Sequence, residues 1–192
     1  MKSLDEYLEL ATRAHGHICA GQVLGVRMAM LGLRELKIDD PEKERKRFVT
    51  YIEIDRCATD AIALVTGCRL GKRSLKFFDW GKMAATFVDL PSGRGVRIVA
   101  REDSKDRARQ MFPDLQKEQA QQNAYRSLPD ADLFETQPVR VEILPEDLPG
   151  YKAPRIVCEK CGEGVNFNRQ IVASGRTLCR ACAGPRYYEP IA

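Results

Sequence analysis

The chain reads as an α+β protein: a mainly antiparallel sheet with helices packed on it, plus a small C-terminal zinc finger of treble-clef or ribbon type. Three observations predict this. Apolar residues recur at helical spacing through the first 36 positions. From Phe48 onward, β-branched and aromatic runs alternate with turn residues. Two Cys-x2-Cys pairs then stand near the C-terminus. The 192 residues suffice for one ordinary domain with a small appendage, and 44% apolar and 30% charged content are globular values.

Ser3-Leu4-Asp5-Glu6 is a capping box, and Leu4, Tyr7, Leu8, Ala11 and Ala14 continue it as a helix to about Arg13. Val23 to Leu36 carries a second, strongly apolar helix that begins at or just after Cys19 and is closed by Asp39-Asp40-Pro41. Phe48–Ile54 predicts a strand, and Ala61–Thr66 a short helix ended by Gly67. Further strands are predicted at Leu75–Phe78, Ala84–Asp89, Val96–Ala100 and Val139–Leu144. Between Asp103 and Leu128 the pattern is helical and charged, with a break at Pro113. Residues 145–154 hold three prolines and a glycine, a linker composition, so the expected division is a core domain over 1–148 and a linker with finger over 149–192.

Composition narrows the function classes. The net charge of +4 lies wholly in the tail, where residues 151–192 hold seven Lys/Arg against three acids, while the first 150 residues balance. Zinc-bound thiolates reduce that excess, and the finger has no basic helix or dense Arg/Lys stripe, so nucleic acid is a disfavoured partner. No apolar run reaches the roughly 18 residues of a membrane span, and the N-terminus carries acids where a signal peptide would not. A cytoplasmic protein is expected, and seven cysteines there favour metal and thiol chemistry over disulfides.

Cys158, Cys161, Cys179 and Cys182 form Cys-x2-Cys-x17-Cys-x2-Cys, a four-cysteine zinc spacing. Two residues between thiolates let one turn present both sulfurs to a tetrahedral ion. A segment this small cannot bury an adequate core, so metal binding supplies its folding energy. The reading is a structural zinc, against a dithiol redox role or another metal.

The second cluster is His15-Gly16-His17-Ile18-Cys19-Ala20-Gly21, which contains both histidines of the chain. Cys57 stands where a strand gives way to a helix. A thiol at a helix N-terminus is expected to be acidified, for Cys19 and Cys57 alike. His17, Cys19 and Cys57 offer one nitrogen and two sulfurs to a second transition metal, with a fourth position open. The competing enzyme reading makes Cys19 or Cys57 a thiolate nucleophile paired with His17. A buried thiol in a capped turn is the bland alternative. Gly67-Cys68-Arg69-Leu70-Gly71-Lys72-Arg73 fails as a phosphate loop. Three rather than four residues separate its glycines, and Arg73 stands where the hydroxyl belongs.

Taken together, His15-Gly16-His17-x-Cys19-x-Gly21-x3-Gly25-x-Arg27-Met28, Glu53-x-Asp55-x-Cys57-x2-Asp60-Ala61-Ile62, Thr66-Gly67-Cys68, Gly71-Lys72 and Asp79-x-Gly81-Lys82-x-Ala84 resemble the FmdE family of proteins, named for tungsten- or molybdenum-dependent formylmethanofuran dehydrogenase. The resemblance covers about residues 10–145, and the cysteine tail resembles the finger appended in some members. It implies an α+β core, commonly homodimeric, with a cleft lined by His17, Cys19 and Cys57 as an active or ligand site. Asp60, Cys68, Lys72 and Lys82 are further candidates, the lysines lending charge to an anionic ligand. It also implies association with a molybdenum or tungsten enzyme complex that reduces carbon dioxide onto methanofuran, in an accessory rather than catalytic role. The dehydrogenase activity itself is not carried over, because no pterin, iron–sulfur or formyl-transfer motif is present.

Overall fold

The computed structural model describes residues 1–191. The chain divides into two compact units, one over Met1–Glu142 and one from Ile143 onward.

In the first unit, helix α1 (Leu4–His15) starts at the Ser3/Glu6 capping box and stops where Gly16 turns left-handed at φ +89°, its N–H returning to the Thr12 carbonyl. Helix α2 (Ala20–Glu35) follows with Cys19 as its N-cap. Strand β1 (Phe48–Ile52) then leads to α3 (Cys57–Thr66), which ends at left-handed Gly67. Strands β2 (Leu75–Phe77), β3 (Ala84–Asp89) and β4 (Arg94–Ala100) come next. Helices α4 (Ser104–Met111), α5 (Lys117–Ser127) and α6 (Asp130–Leu133) precede strand β5 (Phe134–Arg140).

The five strands form one sheet in the order β2-β1-β3-β4-β5, antiparallel except for the parallel pair β1–β2. This is the α+β class predicted above. The last strand differs from expectation: it runs Phe134–Arg140 and pairs Pro138 with Val96, where the apolar pattern pointed to Val139–Leu144. β5 lies at the sheet edge with mostly exposed side chains, so no hydrophobic alternation marks it. An edge is also where proline's missing N–H is tolerated.

The core is built around α2, whose Val23, Val26, Met28, Ala29 and Leu33 are fully buried, and the sheet residues Phe48, Phe87 and Ile98. Two glycines on α2 set its distance from its neighbours. A Cβ at Gly32 would stand 2.2 Å from the Phe87 ring, and one at Gly25 would stand 2.4 Å from the Ala58 carbonyl oxygen on α3. Helix and sheet meet there at backbone distance.

Two polar clamps complete the unit. The Arg27 guanidinium, on α2, donates to the Tyr125 and Leu128 carbonyls at 2.8 Å and to Asp130 at 2.6 Å. It satisfies carbonyls that the C-terminus of α5 would leave open. Glu53, buried just past β1, takes two 2.7 Å bonds from Arg97 of β4, a bidentate pair that pins the strand end before Cys57.

In the second unit, β6 (Ile156–Val157) pairs with β7 (Gly164–Val165), and β8 (Ile171–Ala173) with β9 (Arg176–Leu178). The β8–β9 turn places Ser174 and Gly175 at positive φ, as a two-residue type I′ hairpin requires. Cys179 then opens a four-residue helix, α7 (Arg180–Ala183).

The substitution Gly25→Ala drives a methyl into the Ala58 backbone, which has no side-chain freedom to yield. It is expected to destabilise the protein by about 1–3 kcal/mol. Urea unfolding followed by circular dichroism checks this, and unchanged stability would show that α2 and α3 are not held at contact distance.

Candidate metal centres

The His/Cys turn is made by two helix ends. The last residue of α1 is His15, the chain reverses through Gly16, and Cys19 caps α2 with its sulfur accepting from the Gln22 N–H at 3.4 Å. One ligand atom from each of His15, His17 and Cys19 lies within 4.8 Å of the others. Donors on a tetrahedral zinc stand about 3.3–3.8 Å apart, so small side-chain rotations close the set on one ion. His15 Nδ1 lies 3.1 Å from Asp60 Oδ2, which leaves its Nε2 for a metal. A carboxylate on the far ring nitrogen fixes the tautomer and raises ligand basicity.

Cys57, the first residue of α3, approaches Cys19 across Gly21. A Cβ on Gly21 would stand 3.2 Å from Cys57 Cβ and 3.7 Å from Cys19 Sγ. The Gln22 side-chain amide donates to the Cys57 carbonyl at 2.6 Å, tying α2 to the start of α3. Cys57 thus neighbours the ligand group without joining the set that holds both histidines. Burial, with the Cys57 thiol beside it, pushes the Cys19 thiol up, although the Gln22 N–H pulls the other way. The acidification expected at a helix N-terminus is outweighed there. An open hollow of about 350 Å³, lined by Asp55, Arg56, Cys57, Thr59 and Asp60, adjoins the group.

The turn is braced from α5. Glu118 Oε1 accepts from the Ala20 N–H at 2.6 Å, and the Gln122 amide lies 3.4 Å from the Ile18 carbonyl. A carboxylate at the first residue of α2 also suits the helix dipole. Two residues of this group were not among those expected from the sequence. His15 had a signal, because it shares a turn with His17. Glu118 had none, standing 98 positions downstream.

The other candidates lie elsewhere. Cys68 is buried in the core, 3.5 Å from Thr50 Oγ1, and burial pushes its thiol up. It and Lys72 follow the C-terminus of α3, and ten helical residues put that end roughly 15 Å from Cys57. The Lys82 ammonium sits 5.8 Å over the Trp80 ring.

In the second unit the sulfurs of Cys158, Cys161, Cys179 and Cys182 all lie within 4.8 Å of one another. Left-handed Gly162, φ +75°, returns its N–H to the Cys158 carbonyl and closes the first Cys-x2-Cys turn. The N–H groups of Cys161 and Cys179 hold the Cys158 thiol down to about 6. Cys161 also receives the Glu163 N–H, but desolvation and three crowding thiols push it up to about 12. Four thiols this close cannot all ionise without a cation among them, and the donor set suits tetrahedral zinc with no position left open.

Comparison with known proteins gives the same division. Residues 14–143 match the family described as "FmdE, Molybdenum formylmethanofuran dehydrogenase operon", and residues 153–188 match "Prokaryotic dksA/traR C4-type zinc finger". A curated relative from Archaeoglobus fulgidus, described as a probable S-adenosyl-L-methionine-binding protein, is 30% identical over 206 residues. The alignment takes in 96% of this chain and 54% of that protein, so the chain spans about half the length of the relative. The crystal structure of an FmdE-like protein of tungsten formylmethanofuran dehydrogenase type from Syntrophus aciditrophicus shares the fold, with a TM-score of 0.65 at 24% identity. The match covers 98% of this chain and 96% of that one.

Two outcomes follow from this geometry. Glu118→Ala should weaken cobalt binding at the His/Cys turn by about tenfold, whereas Glu118→Gln, which keeps an acceptor oxygen, should stay near the parent. Chelator competition followed by the cobalt absorption spectrum measures both, and equal affinities would mean α5 does not brace the turn. In the finger, a depressed Cys158 pKa favours the folded form above the ordinary thiol range, and that contribution is lost as pH falls through about 6. Zinc lowers thiol pKa further, so release to a chromophoric chelator should have its midpoint at or below about pH 6.

Proposed function

This chain belongs to the FmdE family, and from that premise we propose that its first unit is a metal-handling module holding one transition-metal ion at His15, His17 and Cys19. The observation that carries this reading is the convergence of three ligand atoms within 4.8 Å, one of them on an imidazole already oriented by a carboxylate. Two imidazoles and a thiolate leave a fourth position and suit zinc or a later first-row metal. Such an ion supplies Lewis acidity when bound. Asp60 holds His15 in one tautomer, Glu118 holds the Cys19–Ala20 peptide, and the hollow at Cys57 and Asp60 gives a ligand its approach. Burial keeps the Cys19 proton on, which disfavours a metal-free thiolate nucleophile and suits a ligand whose proton the metal displaces.

On this reading the chain is an accessory protein of a molybdenum or tungsten formylmethanofuran dehydrogenase system, cytoplasmic and homodimeric, and not the dehydrogenase itself. An iron–sulfur cluster needs four cysteines. Four are taken by the finger, and of the remaining three Cys68 is enclosed by the core. The finger carries a structural zinc, its four sulfurs filling the ion's positions. Among the described residues no helix is long and apolar enough to cross a membrane.

Elemental mass spectrometry of the purified full chain tests the proposal. Two metals per chain are expected, falling to one in Cys19→Ala and in the double variant His15→Ala/His17→Ala, with the finger's zinc retained. One metal per chain in the parent protein, unchanged in these variants, would overturn the metal site.

A further inference from the structure

At the other end of α3 lies a second, larger hollow of about 700 Å³, between α1, the 39–45 segment and the turn after Gly67. We propose that it binds a small phosphorylated molecule with a planar or apolar body. Its volume is that of a small-molecule site. Tyr7, Leu64 and Val65 supply apolar surface, and Lys2, Arg45, Arg69 and Lys72 stand around them.

The charge balance decides the ligand. Four acids also line the hollow, but three are engaged. Asp40 pairs with Lys43 at 2.9 Å, Glu42 with Lys2 at 3.6 Å, and Glu6 accepts the Ser3 N–H at 2.7 Å. Only Asp39 has no partner among the described residues. Against it stand three cations, Arg45, Arg69 and Lys72, likewise without an ion-pair partner among the described residues. The unpaired charge is therefore positive by about two, matching a phosphate monoester near neutral pH, and two guanidinium forks suit its oxygens.

The cations on the turn are held in place by its backbone. The Arg69 carbonyl accepts from Lys72, Ser74 and Leu75 at 3.2–3.3 Å, and the Arg69 N–H donates to Ser74 Oγ at 3.1 Å. The Gly67–Arg73 stretch that fails as a phosphate loop in its spacing thus serves phosphate through side chains instead of backbone amides. This site lies apart from the His/Cys turn by the length of α3, and it does not depend on the metal reading.

Isothermal titration of the full, zinc-loaded chain with AMP, with inorganic phosphate as competitor, tests the inference. Saturable AMP binding is expected, displaced by phosphate and weakened at least about tenfold by Arg69→Glu combined with Lys72→Glu. Thermal melts should stay at the parent value, because both residues are exposed. Cys19→Ala should bind AMP as the parent does. Absence of saturable binding, binding indifferent to the two charge reversals, or binding lost in Cys19→Ala would each overturn it, the last by placing the nucleotide on the metal.

Discussion

Everything at the core site depends on how closely α2 lies against α3. Gly25 and Gly21 are successive turns of one face of α2, and each meets α3 where any side chain would hold it off: Ala58 at backbone distance, Cys57 at its Cβ. That contact brings the N-termini of two helices together, so Cys19, Cys57 and Asp60 share one corner although they come from separate parts of the sequence. Widening the gap by one methyl would separate Asp60 from His15 and Cys57 from Cys19 together. The two glycines forgo helix propensity to secure that approach.

The two metal centres are stabilised in opposite ways. The finger is local: its ligands sit on two short turns within 25 residues, and few of its side chains are buried apart from Cys158 and Leu178. Its fold and its ion come together or not at all. The core site rests on a sheet and a fully buried helix that need no metal, so its ligands converge before any ion arrives. A preformed set of this kind suits reversible loading, because release leaves the scaffold standing.

What the sequence disclosed follows the same line. Local signals were legible: the Ser3/Glu6 box, the Cys19 cap, the strand before Cys57, the cysteine spacing and the hairpin at Ser174-Gly175. Features set by tertiary context were not. β5 is an exposed edge without alternation, and the contribution of Glu118 needs α5 folded beside α2. His15 was visible as a residue but not as a ligand, because its pairing with Asp60 spans 45 positions. The Cys19 thiol shows which effect prevails: helix position favours thiolate, yet burial beside a second thiol outweighs it. Family resemblance located the right turn, and geometry then redistributed its ligands.

The brace from α5 has a consequence for how the protein is made. Chains emerge from the ribosome N-terminus first and domains fold as units. His15, His17 and Cys19 are among the earliest residues exposed, yet the peptide that carries them is secured by a carboxylate 98 residues later and by an α5 whose end is anchored through Arg27. A nascent chain therefore presents two histidines and a thiol well before it presents a site. Metal chosen at that stage would be chosen by raw affinity, whereas metal chosen after α5 docks is chosen by shape. Late bracing defers selection to the finished fold.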